Sequence, residues 1–95
     1  MRVRWVLAAT VARADIPRLC DELVALFRDT GAAVVVCDVG AHAEADLTTV
    51  ELLARLQLTA RRHGRTIEVY RASPRLRALL AVTGVGESVP RCVPR

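Results

Sequence analysis

Lysine is absent: all 14 positive side chains of this 95-residue chain are arginine. That excludes a lysine Schiff base, a P-loop lysine and the enzyme classes built on them. Aromatic residues are equally scarce, with only Trp5, Phe27 and Tyr70. Three rings scattered along the chain do not make the stacking platform that a single-strand nucleic-acid binder lays along its basic groove. The net charge of +4 therefore needs another reading. The tightest basic groups, Arg61, Arg62 and Arg65 and then Arg71, Arg75 and Arg77, fall near predicted helix ends. No direct nucleic-acid binding is expected, and a solvated basic face or an acidic protein partner fits better.

Cysteine is sparse and odd in number: Cys20, Cys37 and Cys92 stand far apart with no CxxC pair. This excludes a disulfide lattice and points to a reducing cytoplasm. Cys20 and Cys37 lie in apolar stretches and read as small core residues, while Cys92 reads as a free thiol. His42 and His63 have no cluster of further ligands around them, so neither a metal nor a cofactor is expected. No apolar run approaches the roughly 20 residues needed to span a bilayer, and no membrane association is expected. The short apolar run after Met1-Arg2-Val3-Arg4-Trp5 meets Arg13 and Asp15, which is not the pattern of a signal peptide. A Gly-rich phosphate loop is missing too, since Gly84-Val85-Gly86 follows a predicted helix instead of opening one.

What is present is enough for one core. At 10.4 kDa, a folded monomer exposes roughly 5,400 Å² and buries about 64% of the surface of its unfolded chain. The hydrophobic share is 53%. One domain over residues 1–95 follows, without room for a second domain or a deep cleft between two.

The pattern alternates strand and helix. Val3 to Thr10 reads as a strand, with Arg2 and Arg4 alternating with Val3 and Trp5. Asp15 as N-cap and Pro17 in the first turn predict a helix with an apolar stripe of Ile16, Leu19, Cys20, Leu23, Leu26 and Phe27, stopped by Gly31. Ala32 to Val39 carries the run Ala33-Val34-Val35-Val36-Cys37, the pattern of a central strand buried on both faces. A second helix is predicted from Asp46 or Thr48 to about His63, closed by Gly64. Thr48 and Glu51 have capping-box spacing that competes with Asp46 as the cap. Thr66 to Tyr70 reads as a strand and Ser73-Pro74 as a helix start. Leu76, Leu79, Leu80 and Val82 carry that helix's stripe up to Gly84, and a short edge strand is expected within Ser88 to Val93. Right-handed crossovers then predict a small α/β domain, a mostly parallel central sheet of three to four strands with helices packed against it.

In such a sheet the functional edge lies outside the carboxyl ends of the strands. Asp38, the loop of residues 40–45 with His42 and Glu44, and the start of the second helix converge there. Thr48 and Thr49 stand in that helix's first turn, where free N–H groups and the macrodipole favour an anion. Two readings stay open: Thr48 serves only the helix end, or it accepts a phosphate, whose charge of about −1.5 to −2 remakes the surface. Asp38 and Asp46 have no third ligand or nucleophile beside them, so no autonomous enzyme is expected.

The stretch Val34-Val35-Val36-Cys37-Asp38, followed by Asp46-Leu47-Thr48-Thr49-Val50, then Arg61-Arg62-His63-Gly64, Ser73-Pro74-Arg75-Leu76-Arg77-Ala78-Leu79-Leu80 and Thr83-Gly84-Val85, resembles the STAS domain. That family includes anti-sigma factor antagonists and the cytoplasmic ends of sulfate transporters. Its pattern is a strand ending in Asp, a short loop, and Asp-Ser-Ser/Thr-Gly-Leu opening a helix. The resemblance covers nearly the whole chain. It implies a non-enzymatic regulatory domain that binds an anti-sigma factor of the GHKL-kinase type through Asp38, His42, Glu44, Asp46, Leu47, Thr48, Thr49 and Val50. Thr48 is then the phosphoacceptor candidate, because Leu47 fills the first of the two acceptor positions and carries no hydroxyl. Thr49 stands where the family has Gly. The other functions it admits are a non-phosphorylated scaffold subunit of a signalling assembly and an accessory STAS protein of a transport system. The family commonly has one more strand ahead of the one matched here. The bare edge is then covered by a homodimer, met by a partner at Arg4 and Trp5, or left by a shortened start.

Overall fold

The computed structural model describes residues 1–8, 11–41, 47–83 and 91–93, with Thr83 and residues 91–93 described by their backbone alone. Strand and helix alternate throughout: β1 (Arg2–Val6), a 3₁₀ turn (Arg13–Asp15), α1 (Ile16–Thr30), β2 (Val34–Asp38), α2 (Leu47–Arg62), β3 (Thr66–Tyr70), α3 (Pro74–Thr83) and β4 (Arg91–Val93). The strands form one parallel sheet in the order β1-β2-β3-β4. A parallel sheet laid down in chain order with right-handed crossovers keeps its connections on one side. Accordingly α1 packs on α2, and α2 packs on both β3 and α3.

This arrangement corrects the reading of β2. Val35 and Cys37, with Ile67 and Val69 of β3, are fully buried beneath the helices. Val34, Val36 and Tyr70 point to the reverse face and are only half-buried. An unbroken β-branched run looks alike whether one face or both are covered, so the sequence could not tell. β1 is also shorter than expected, ending at Val6 instead of Thr10. One more ladder bond, from the Leu7 N–H to the Asp38 carbonyl at 3.0 Å, extends the pairing, and residues 9–10 lie outside the described part. β4 falls within the expected edge segment.

Helix chemistry follows the sequence in most details. Along α1, Ile16, Leu19, Leu23 and Phe27 are buried while Cys20 and Leu26 are half-buried at the cluster's margin. Each fully buried Leu or Ile contributes about 1.5–3 kcal/mol. Gly31 takes the left-handed conformation, φ +68°, and its N–H bonds the Phe27 carbonyl at 2.9 Å. α2 closes on Gly64, also left-handed at φ +65°. The Gly64 N–H reaches the Arg61 carbonyl at 3.0 Å and the Arg65 N–H the Ala60 carbonyl at 2.8 Å, the paired bonds of a Schellman end. Ser73 caps α3, its Oγ accepting the Leu76 N–H at 3.1 Å.

Three expectations need correction. Asp15 does not cap α1; its backbone is already helical, and its carboxylate accepts the Ala12 N–H at 3.0 Å instead, closing the 3₁₀ turn. Val82 is 83% exposed, so the buried stripe of α3 is Leu76 and Leu80 with Leu79 at its edge. Thr48 is the second residue of α2, inside the helix and not at its cap, and Glu51 pairs with Arg13 at 3.0 Å. Asp46, the competing cap, lies outside the described residues, as does Gly84.

Candidate functional site

At the carboxyl end of the sheet, Asp38 ties three strands and two loops together. It ends β2 between Val6 of β1 and Tyr70 of β3. Arg4 bonds its Oδ2 through Nε at 3.0 Å and through Nη2. The Gly40 N–H donates to Oδ1 at 2.9 Å, the local turn that an Asp makes with the residue two further on. Arg71 Nε lies 3.6 Å from the same oxygen. Burial of the Asp38 carboxyl pushes its pKa up, but the Gly40 N–H, the Arg4 hydrogen bond and the charges of Arg71 and Arg4 outweigh it and leave it below the ordinary carboxylate value. Arg4 in turn is raised by its hydrogen bond and charge interaction with Asp38, and its guanidinium lies 5.2 Å from the Tyr70 ring centroid.

Two backbone features let Arg71 reach this place. Its own φ is +63°, a left-handed conformation that non-glycine residues rarely hold. Its guanidinium also lies where a β-carbon on residue 40 would stand, so Gly40 leaves the space that Arg71 fills. The loop leaving β2 is thus pinned at Gly40 from below by Asp38 and from above by Arg71. The chain re-emerges at α2. Leu47 is 64% exposed there and Thr48 is half-buried, while Thr49 and Val50 turn into the core. Glu51, one turn beyond Leu47 and three residues beyond Thr48, holds Arg13 of the 3₁₀ turn across the surface.

Of the residues singled out from sequence, the described part brings Asp38 to the strand end and Leu47, Thr48, Thr49 and Val50 to one helix start. Asp38 itself is only 3% exposed under its arginines. His42, Glu44 and Asp46 lie outside the described residues. Sequence reading did not place Arg4, Arg13, Gly40 or Arg71 at this site. Only Gly40 carried a local signal, the Asp-Val-Gly spacing of an Asp turn; the arginines act across 33 to 38 positions and leave no local trace. No group of His, Cys, Asp or Glu able to hold a metal occurs among the described residues. Cys37 is buried beneath the helices, and desolvation pushes its thiol pKa up to about 12, out of reach of thiolate chemistry at neutral pH.

Comparison with known proteins gives this arrangement its family. A family model described as "Mlab, STAS domain" matches residues 3–93. The chain belongs to the STAS family. The chain's fold is also similar to that of RsbS from Moorella thermoacetica, solved as a Ser-to-Glu variant, which aligns with a TM-score of 0.70 at 15% identity, covering 97% of this chain and 80% of that one. No curated protein matches. Among the described residues of this STAS domain, no helix is long and apolar enough to cross a membrane.

Proposed function

We propose that this STAS domain is a regulatory binding module of the anti-sigma factor antagonist kind, working in the cytoplasm without chemistry of its own. Its partner is an anti-sigma factor of the GHKL-kinase type, which docks on the start of α2 and the loop before it. One observation carries the reading: Leu47, a large apolar side chain, stands exposed beside the half-buried hydroxyl-bearing Thr48, on a helix start whose next two residues are locked into the core. An exposed apolar residue on a rigid base next to a modifiable hydroxyl is a docking point that phosphate can cancel.

In this reading Leu47 and Thr48 meet the partner directly. Thr49 and Val50 hold the helix start in place, and Asp38, buried under Arg4 and Arg71, fixes the strand end ahead of His42, Glu44 and Asp46, which complete the proposed contact. A phosphate on Thr48 stands at the positive end of the α2 dipole. It also comes within one helical turn of the Arg13–Glu51 pair and competes with Glu51 for the guanidinium. A second reading, a scaffold subunit that is never phosphorylated, is favoured by Leu47 in the first acceptor position and by the burial of Thr49.

Intact-mass spectrometry after incubation with ATP and each GHKL-type kinase of the same genome separates them. The expected result is a gain of one phosphate that is lost in Thr48→Ala. Thr48→Asp is expected to weaken partner binding about tenfold or more, and Thr48→Ala to preserve it. Equal affinity of the wild type and both variants, with no mass change despite a stable complex, replaces the switch with the scaffold. A complex formed only with a permease subunit replaces both with the transport accessory.

A further inference from the structure

The outer side of the helix layer carries a second surface, at least two turns away from Thr48 along α2. A groove of about 570 Å³ runs between α1 and α2. Its floor is apolar: Cys20 and Val24 of α1 are half-buried, and Leu58 of α2 is 45% exposed. Its α2 wall is basic, formed by the exposed Arg55, Arg62 and His63, whereas its α1 wall carries Asp21. Nearby, Arg18 bonds Glu22 at 3.1 Å and lies 3.8 Å from Asp15, and Arg13 of the 3₁₀ turn pairs with Glu51. Arg55 and Arg62 pair with no carboxylate among the described residues. His63 Nδ1 lies 3.0 Å from the Thr59 carbonyl, which holds the ring against the end of α2.

We infer that this groove is a docking site for an acidic amphipathic helix of a protein partner. Charge complementarity and spacing both select it. Arg55 and Arg62 are seven residues apart on one helix, so their backbone positions stand about 10.5 Å apart. Carboxylates at positions i and i+7 of a partner helix repeat the same interval. The apolar residues of that helix, at i+3 and i+4 from each acid, fall on Val24, Leu58 and Cys20, in the helix-in-groove manner of recognition. Its opposite edge is neutral or basic where it passes Asp21. The site is independent of the docking point at Leu47 and Thr48, and a partner can occupy the two together.

The test is an NMR titration of the ¹⁵N-labelled 95-residue protein with a synthetic helical peptide of about 18 residues, long enough to hold helix in water. It bears Glu at i and i+7 and Leu on its apolar face. The expected result is saturable shifts at Cys20, Val24, Leu58 and His63. Affinity should fall about tenfold or more in the Arg55→Glu, Arg62→Glu double variant and in Leu58→Asp, all exposed positions whose thermal melting should stay at the wild-type value. Absence of saturable binding overturns the inference. So does equal binding of a peptide with Lys for Glu, unchanged affinity in the double variant, or shifts confined to Leu47 and Thr48. Capture of anionic phosphatidylglycerol vesicles with no binding of the peptide also overturns it, in favour of a lipid surface.

Discussion

With its carboxylate ionised, Asp38 offers two acceptor oxygens to Arg4, Arg71 and the Gly40 N–H, and all three are used. Removing the charge leaves two guanidinium groups facing a neutral side chain at a nearly dry strand end. Asp38→Asn is therefore expected to cost about 1–3 kcal/mol at neutral pH. The pH dependence has a definite sign. The folded pKa of Asp38 lies below its unfolded value of about 3.9, so its contribution is complete above that pH and is lost as pH falls through the lower folded value. Urea unfolding between neutral pH and strong acid should show a shallower acid limb in Asp38→Asn than in wild type. Identical acid limbs would mean that the arginines leave Asp38 unperturbed. Arg71 shows a related economy at the same scale: its left-handed backbone costs roughly 1–2 kcal/mol, which its contact with Asp38 and the space above Gly40 offset.

Among the helices, the ends are where sequence chemistry acts most directly. Ser73 supplies one of the four partners that the first turn of α3 lacks, through its bond from the Leu76 N–H. α3 is only ten residues long, and its buried side is limited to Leu76, Leu80 and the margin of Leu79. A helix with so small a buried stripe depends on its cap. Ser73→Ala is expected to destabilise the domain by about 1 kcal/mol, lowering the melting temperature by roughly 4–8 °C in a circular-dichroism melt. An unchanged melt would show that α3 frays apart from the cooperative unit. The sheet's reverse face is managed by different means. Arg2 bonds Glu68 and Arg4 bonds Asp38 across β1, β2 and β3, so a face left open by the one-sided crossovers is neutralised from within.

For the molecule as a unit, the exposed area of 5584 Å² sits close to the roughly 5,400 Å² expected of a monomer of this mass. Among the described residues β1 is nevertheless an edge strand, paired only with β2. Two copies joining antiparallel at β1 about Arg4 would bring Arg4 against its own symmetry mate, with Arg2 close by, and like charges directly opposite are destabilising. The same arginines that neutralise the reverse face thus guard the edge. Light scattering is expected to give a mass of 10.4 kDa, unchanged as the sub-millimolar concentration is raised. A doubled mass would show that the edge is in use and restore the homodimer as the cover for β1.

The order of elements, the parallel α/β architecture, the helix stops at Gly31 and Gly64 and the helix start at Ser73 were determined by the sequence alone. Each rests on contacts within a few residues: a hydrophobic period, a cap, a glycine that can turn left-handed. The positions of Asp38 at a strand end and Thr48 in the next helix's first turn were legible for the same reason, since both are local signals. Only the tertiary structure decided which face of β2 is open, because a β-branched run is silent about what lies above it. It also decided that Asp38 is a buried junction instead of an exposed contact, since Arg4 lies on β1 and Arg71 directly after β3, and only strand pairing brings them alongside. The groove between α1 and α2 belongs to the same class: Cys20 and Leu58 are 38 positions apart in the chain, and nothing but helix packing makes them one surface.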